Sequence, residues 1–229
     1  MRDEIESLKV EQRKKLRKVR ARQKRLARNA WADGFLSGVC GTLRPGDIAI
    51  DLGANVGDIS SRLLASGADV IAFDPEPWAI AALEKRFADE PRFTLHNAAV
   101  GCAEGTVSLM RADDFDGDEA KASVKSTIVE GGRAVSGGHF VEVRMINFVD
   151  FLRNLVARHG DVQFIKMDIE GAELDLLDAL DAADLLNRVR CMVVETHERK
   201  FKDQRARFAE QRRRLSAKYA PTHINLDWI

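Results

Sequence analysis

The sequence predicts an α/β protein, a mostly parallel, doubly wound sheet with an N-terminal helical arm. Three observations carry this expectation. Ile48-Ala49-Ile50 reads as a buried strand, Asp51-Leu52-Gly53-Ala54-Asn55-Val56-Gly57 as a glycine turn, and Asp58 to Leu64 carries apolar residues at helical spacing. Strand-like and helix-like segments then alternate, the pattern of parallel strands joined by right-handed crossovers. Acidic residues (Asp51, Asp74, Asp168, Glu195) fall at the expected strand ends, where open parallel sheets place their ligands.

The arm is set apart by charge. Residues 1–30 hold twelve Lys/Arg and four Asp/Glu, a balance of +8, and contain no Gly or Pro. The remainder is −8, so a net charge of zero conceals a basic arm on an acidic body. Ile5, Leu8, Leu16, Val19, Leu26 and Ala30 share one helical face, interrupted by Gln12 and Gln23. That face predicts packing on the body or pairing with a second copy as a homo-oligomer; an anionic surface, nucleic acid or lipid head groups, is the alternative. The lack of aromatic residues among the basic ones before Trp31 disfavours nucleic acid.

Residues 31–229 are expected to form one domain. A body of about 200 residues buries roughly 70% of its unfolded surface and needs no disulfide or metal staple. Cys40, Cys102 and Cys191 are odd in number and lack C-x-x-C spacing, which fits a reducing cytoplasm. The charged start predicts no signal peptide, and no apolar run approaches the roughly 18 residues of a membrane span.

In chain order, a short helix is expected over 31–43 and a turn at Arg44-Pro45-Gly46-Asp47. The first strand covers about 47–51 and its helix 57–66. The second strand covers 68–73 and ends at Asp74-Pro75, with a helix over 77–88 that tolerates Pro77 in its first turn. A third strand is expected over 92–100. Residues 105–110 and 140–145 read as short strands flanking a Gly- and Asp-rich loop. As a calcium loop that stretch fails: Gly117 is misplaced, and position twelve from Asp114 is Lys125. The alternation resumes with Asn147 capping a helix over 148–158, a strand over 163–167 ending at Asp168 and a helix over 171–186. A strand over 190–194 then leads into Glu195-Thr196-His197, a basic helix over 200–218 and a last strand over 223–228.

The glycine turn is neither G-x-G-x-x-G nor a P-loop, since Gly53 and Gly57 stand alone and no Gly-Lys-Ser/Thr follows. Asp51 puts negative charge where a pyrophosphate would sit, favouring a ligand with a cationic end such as S-adenosyl-L-methionine. Asp74, 23 residues on, has the spacing of an acid that accepts hydrogen bonds from ribose hydroxyls.

The blocks D-L-G-A-N-V-G at 51–57, F-D-P-E-P at 73–77, N-A-A-V-G at 97–101, K-M-D-I-E-G-A-E at 166–173 and V-E-T-H at 194–197 resemble the FkbM family of S-adenosylmethionine-dependent methyltransferases, in order and spacing over about 47–200. The resemblance implies a Rossmann-like class I methyltransferase fold and O-methylation of a hydroxyl on a sugar, glycolipid or polyketide-like metabolite. It implies that Asp51, Gly53, Ala54, Asn55 and Gly57 hold the methionine end of the cofactor. Asp74 and Pro75 would lie at the ribose, Asn97 and Ala98 at the adenine, and Asp168 and Glu170 beneath the methyl group and the acceptor. Where the family has Thr-Leu-Asp, this chain has Asn147-Phe148-Val149. It also has one strand after the basic helix where the wider fold closes with a pair.

Asp168 is the first candidate for the base that takes the acceptor's proton, and His197 the second. Asp168, Glu170, Glu195 and His197 are also residue types that can hold magnesium or manganese, although no metal is assigned. His139 lies on the loop before the second short strand, and His96 beside the third main strand. The alternatives are an RNA-binding methyltransferase using the arm, a nucleotide-dependent oxidoreductase, and a non-catalytic nucleoside-binding assembly protein.

Overall fold

The structure is a computed structural model that describes residues 2–111, 127–128, 140–198 and 200–228. Its compact units divide at Gly41/Thr42.

The first unit is one helix, α1 (Arg2–Thr42). The expected break at residue 30 is absent, so the boundary falls after Gly41 instead. Gly34 and Gly38 do not interrupt the helix, because an interior glycine costs only about 1 kcal/mol. What ends it is Pro45, which pushes Arg44 out of the helical region. The chain then turns, with Asp47 N–H donating to Arg44 O at 3.0 Å and Arg44 N–H to the Asp47 carboxylate at 2.8 Å. Within the helix Trp31 stacks on Phe35, and Leu16, Val19 and Leu26 are each about half exposed.

The second unit begins with β1 (Ile48–Leu52), α2 (Asp58–Ala65), β2 (Asp69–Asp74), α3 (Pro77–Arg86) and β3 (Phe93–Asn97). After the central excursion come α4 (Phe148–His159), β7 (Phe164–Met167), α5 (Glu173–Ala182), β8 (Met192–Val194), α6 (Arg205–Lys218) and β9 (Ile224–Asn225). The six strands form one sheet in the order β3-β2-β1-β7-β8-β9, every neighbouring pair parallel. The order reverses between β1 and β7, so the carboxyl ends of these two strands flank the topological switch point. Ile50, Leu52, Ile165 and Met167 are fully buried, as expected for central parallel strands covered on both faces.

The expected third strand is two strands. Ala98 N–H donates to Asp74 O at 3.1 Å and to His96 O at 2.9 Å, which turns the chain out of the main sheet. β4 (Ala99–Gly101) then joins a second sheet with β5 (Gly105–Met110) and β6 (Phe140–Asn147), in the order β4-β6-β5. β5 and β6 are antiparallel, from Gly105 opposite Met145 to Met110 opposite Phe140. The calcium-loop test and His139 fall outside the described residues. Asn147 caps α4 as expected, accepting the Asp150 N–H at 3.3 Å.

β9 is shorter than expected. Arg212 donates to Leu226 O at 2.8 Å, and Asp227 N–H donates to the Asn225 side chain at 2.9 Å, so these groups bond off the ladder. Among the described residues no antiparallel strand closes the main sheet, whose six strands all run parallel; the antiparallel pairing lies in the small sheet, so the protein is mostly parallel as expected.

Candidate active site

The site is built on the turn after β1. Gly53 and Gly57 have φ of 76° and 82°, and Asn55 has φ of 49°, all in the left-handed region where glycine and asparagine carry the least strain. Gly53 is also required by space, because a Cβ there would lie 1.9 Å from Asp168 O. The β1 turn and the end of β7 therefore touch backbone to backbone, a contact extended by Asp168 N–H donating to Leu52 O at 3.1 Å. At Gly57 a Cβ would meet the Phe87 ring at 2.5 Å.

Asp74 ties β2 to the same turn. Its Oδ2 accepts the Asn55 N–H at 2.8 Å and its Oδ1 the Glu76 N–H at 2.9 Å. Burial pushes the Asp74 carboxyl up to about 6; the two N–H donors work the other way. Glu76 is itself buried and bonded by the Arg111 guanidinium at 2.5 and 3.2 Å.

Several of these residues line one wall of a cleft that opens to solvent. Gly53, Asn55, Asp74, Pro75, Ala98, Asp168 and Glu170 all reach the wall, with Phe73, Val100, Leu109 and Ile128 supplying its apolar part. Thr127, on which sequence reasoning was silent, pairs its backbone with Met110, and its hydroxyl donates to Glu170 O at 2.6 Å.

Five of the candidate residues do not line the cleft: Asp51, Ala54, Gly57, Asn97 and His197. Asp51 is fully buried behind the wall. Its Oδ2 accepts the Ser60 hydroxyl at 2.7 Å; its Oδ1 has no hydrogen-bond partner among the described residues and lies 3.4 Å from the Lys166 ammonium. Asn97 is exposed, leaving Ala98 as the wall residue of that pair. His96 packs in the aromatic cluster, stacked on Phe73 at 4.6 Å, and burial holds its imidazole below its usual range.

Behind the glycine turn, Lys166 reaches across from β7. It donates to Gly53 O at 2.6 Å and lies 3.4 Å from Asp51 and 3.5 Å from Asp168. Burial would lower its pKa, but these two carboxylates hold it above the ordinary lysine value. The turn after β7 carries Asp168 and Glu170, the latter with φ of 58°, onto the cleft wall. Glu173, the first residue of α5, accepts the Ile169 N–H at 3.0 Å, the Gly171 N–H at 2.9 Å and the His197 Nδ1–H at 2.8 Å. Glu173, not Asp168, thus satisfies the backbone at the start of this helix.

His197 Nε2 faces three carboxylates: Glu170 at 3.2 Å, Asp168 at 3.7 Å and Glu195 at 3.9 Å. Burial works against its protonation, but the bond and charge of Glu173 with those of Glu170 and Asp168 raise it to about 9. Glu195 is pushed up to about 7 by burial and the nearby Asp168. Burial also raises Glu170, against the pull of His197 and Lys200. Lysine in an otherwise apolar strand and Glu173 in a helix's first turn were the only sequence signals for these supporting groups.

A glycine turn at the switch point, acids at neighbouring strand ends and an electronegative floor define a cleft of the methyltransferase class. The model of the methyltransferase FkbM domain matches residues 51–220. The chain belongs to that family, and it is an S-adenosyl-L-methionine-dependent methyltransferase. It is 26% identical over 179 residues to the 31-O-demethyl-FK506 methyltransferase FkbM of Streptomyces tacrolimicus, covering 68% of this chain and 67% of that protein. Among solved structures, a SAM-dependent methyltransferase from Agrobacterium tumefaciens matches at 12% identity and a TM-score of 0.32, over 61% of this chain and 30% of that one. A short-chain dehydrogenase/reductase from Brucella melitensis matches at 12% identity and a TM-score of 0.39, over 80% and 73%. This chain thus spans under a third of the Agrobacterium structure's length. No described helix is long and apolar enough to cross a membrane.

Proposed function

We propose that the protein is an O-methyltransferase acting on a hydroxyl of a small-molecule or glycan acceptor such as a sugar, glycolipid or polyketide-like metabolite. One observation carries the reading: the cleft floor beside the Gly53 turn is made by Asp168 and Glu170, with Glu195 and His197 behind them. An electronegative floor suits a sulfonium donor, and a carboxylate on it can accept the acceptor's proton. The name of the Streptomyces relative, a 31-O-demethyl-FK506 methyltransferase, supports oxygen as the acceptor atom.

In this reading Gly53 and Asn55 hold the methionine end, with Asp51 acting from behind through Lys166. Asp74 and Pro75 receive the ribose, and Ala98 borders the adenine. The acceptor oxygen attacks the methyl carbon in line. The C–O bond forms as the S–C bond breaks, the sulfur keeps the electron pair as the thioether of S-adenosylhomocysteine, and the hydroxyl proton passes to Asp168. Alignment of the two substrates is the main term, worth roughly 7–11 kcal/mol. His197 is the partner that orients the Asp168 carboxylate. The free cysteines support a cytoplasmic setting, and the half-exposed apolar face of α1 supports pairing with a second copy.

Calorimetry with S-adenosylmethionine, S-adenosylhomocysteine and NADH tests the reading. The sulfonium compound and its thioether product are expected to bind one per chain. NADH binding with no response to either would overturn it in favour of an oxidoreductase.

A further inference from the structure

The arrangement around His197 has a property that proton transfer alone does not use. The imidazole is 6% exposed, and Glu173 takes its Nδ1–H. Glu173 is itself pinned by two backbone N–H groups of the segment that carries Asp168 and Glu170. A carboxylate can only accept from these N–H groups, so Nδ1 carries a proton and Nε2 is turned toward Asp168, Glu170 and Glu195. Three carboxylates face that nitrogen. A proton on Nε2 can fill the space between these groups, and a divalent cation that displaces it would take the same position.

Imidazole nitrogens that ligate metals usually donate their other N–H to a carboxylate that is itself hydrogen-bonded, as Glu173 is here. The spacing fits as well. Two donors bound at right angles to a cation at about 2.1 Å lie about 3.0 Å apart; the Nε2 distances to Glu170 and Asp168 are 3.2 and 3.7 Å. The three ligand atoms fall within 4.8 Å of one another. Two carboxylates and one imidazole form a hard, oxygen-rich donor set. The ligands come from two strand ends, those of β7 and β8, and two of them line the cleft.

We propose that Asp168, Glu170 and His197 bind one divalent cation, magnesium or manganese, at the floor of the cleft, with Glu173 as the residue that orients His197. The site rests on the methyltransferase reading, and its open positions face the acceptor. A cation there would bind the acceptor oxygen and make its hydroxyl easier to ionise. Lys200 is the built-in competitor. Its ammonium pairs with Glu170 and is a third exposed, so it can swing away when the cation enters.

The test is a titration of the full chain with manganese chloride, reading free Mn(II) by electron paramagnetic resonance, with S-adenosylhomocysteine binding and thermal unfolding followed on the same samples. One ion per chain is expected. Glu170→Gln should weaken manganese binding about tenfold or more, and Glu173→Gln by about 10–100-fold. Lys200→Ala should tighten it, because it removes the competing charge; this variant alters a partly exposed side chain and keeps the test decisive if Glu173→Gln does not fold. No binding below about 1 mM, or an affinity indifferent to Glu170→Gln and Lys200→Ala, would overturn the site. Such a result together with normal S-adenosylhomocysteine binding sinks the cation alone, whereas loss of cofactor binding by the unaltered chain sinks the methyltransferase reading.

Discussion

Replacing Asp74 by Asn separates stability from cofactor affinity in a way the geometry makes quantitative. Burial raises the Asp74 carboxyl from 3.8 to about 6, so at pH 7 the folded state bears an ionisation cost of about 3 kcal/mol, one pKa unit being about 1.4 kcal/mol. Because the folded value is the higher one, the group's stabilising effect is full below about pH 4, declines as pH rises to about 6 and is absent above. Asn removes that cost but offers only one acceptor oxygen, so one of the two N–H groups of Asn55 and Glu76 loses its partner, at about 1–3 kcal/mol. The two effects nearly cancel at pH 7, where the variant should lie within about 2 kcal/mol of the parent; at pH 4 it should be less stable by roughly the price of the lost bond. Cofactor affinity should behave differently. A ribose hydroxyl donating to a carboxylate contributes about 1.5–3 kcal/mol, so S-adenosylhomocysteine should bind about ten- to a hundredfold more weakly to Asp74→Asn at pH 7. In the parent, affinity should fall as pH drops below about 6, and in the variant it should not. Urea unfolding at pH 4 and 7 and calorimetry from pH 5 to 8 read both quantities. Equal affinity of the two proteins, or a pH dependence that survives in the variant, would remove Asp74 from the ribose site.

Four further outcomes follow from the same contacts. Lys166→Met should destabilise the fold by about 3–5 kcal/mol, because it leaves the buried Asp51 uncompensated, and adding Asp51→Asn should recover part of the loss; denaturant melts of the single and double variants decide this. Gly53→Ala should cost about 1–3 kcal/mol and abolish S-adenosylhomocysteine binding, since its Cβ cannot coexist with Asp168 O; a variant that binds normally would show that the turn is free to move. Asp168→Asn should lower the rate of methyl transfer by about 10²–10⁴ while S-adenosylhomocysteine still binds; normal turnover of labelled cofactor would exclude it as the base. Deletion of residues 1–41 should convert a homo-oligomer to a monomer by sedimentation equilibrium, and an unchanged mass would discard pairing through α1.

Local signals were readable where a single segment decides the outcome. The β1–turn–α2 unit follows from an apolar run, two glycines and helical spacing, and the structure keeps it within a residue or two. Asn147 as a cap is equally local. The split at Ala98 was not readable, because Phe93 to Val100 is a nearly unbroken strand-like run. The turn depends on Asp74 O and His96 O accepting the Ala98 N–H, a contact between strands. The continuity of α1 past residue 30 was hidden by composition: charge falls away and glycines appear, yet neither breaks a helix, and only Pro45 does.

The site divides along a related line. Residues that reach the cleft do so because they end strands, so the alternation alone placed Asp74, Asp168 and the Gly53 turn together. Side-chain direction is a different matter. Asp51 lies one residue inside the end of β1, which runs on to Leu52; it is paired in register with Lys166 and bonded by Ser60, so its charge acts through the wall rather than on it. Asp168 follows β7 directly, two residues after Lys166, and its carboxylate lies 3.5 Å from the Lys166 ammonium. A lysine within Phe164-Ile165-Lys166-Met167 must therefore find anionic company inside the sheet, and the nearest is Asp51. The strand itself points to this buried charge network, and Asp51 is its inner end. The cofactor's positive charge then meets Asp168 and Glu170 directly and Asp51 only through Lys166, so Asp51→Asn should weaken S-adenosylhomocysteine binding less than Asp74→Asn does. The reverse order, read by the same calorimetry, would mean that Asp51 turns into the cleft when the cofactor binds.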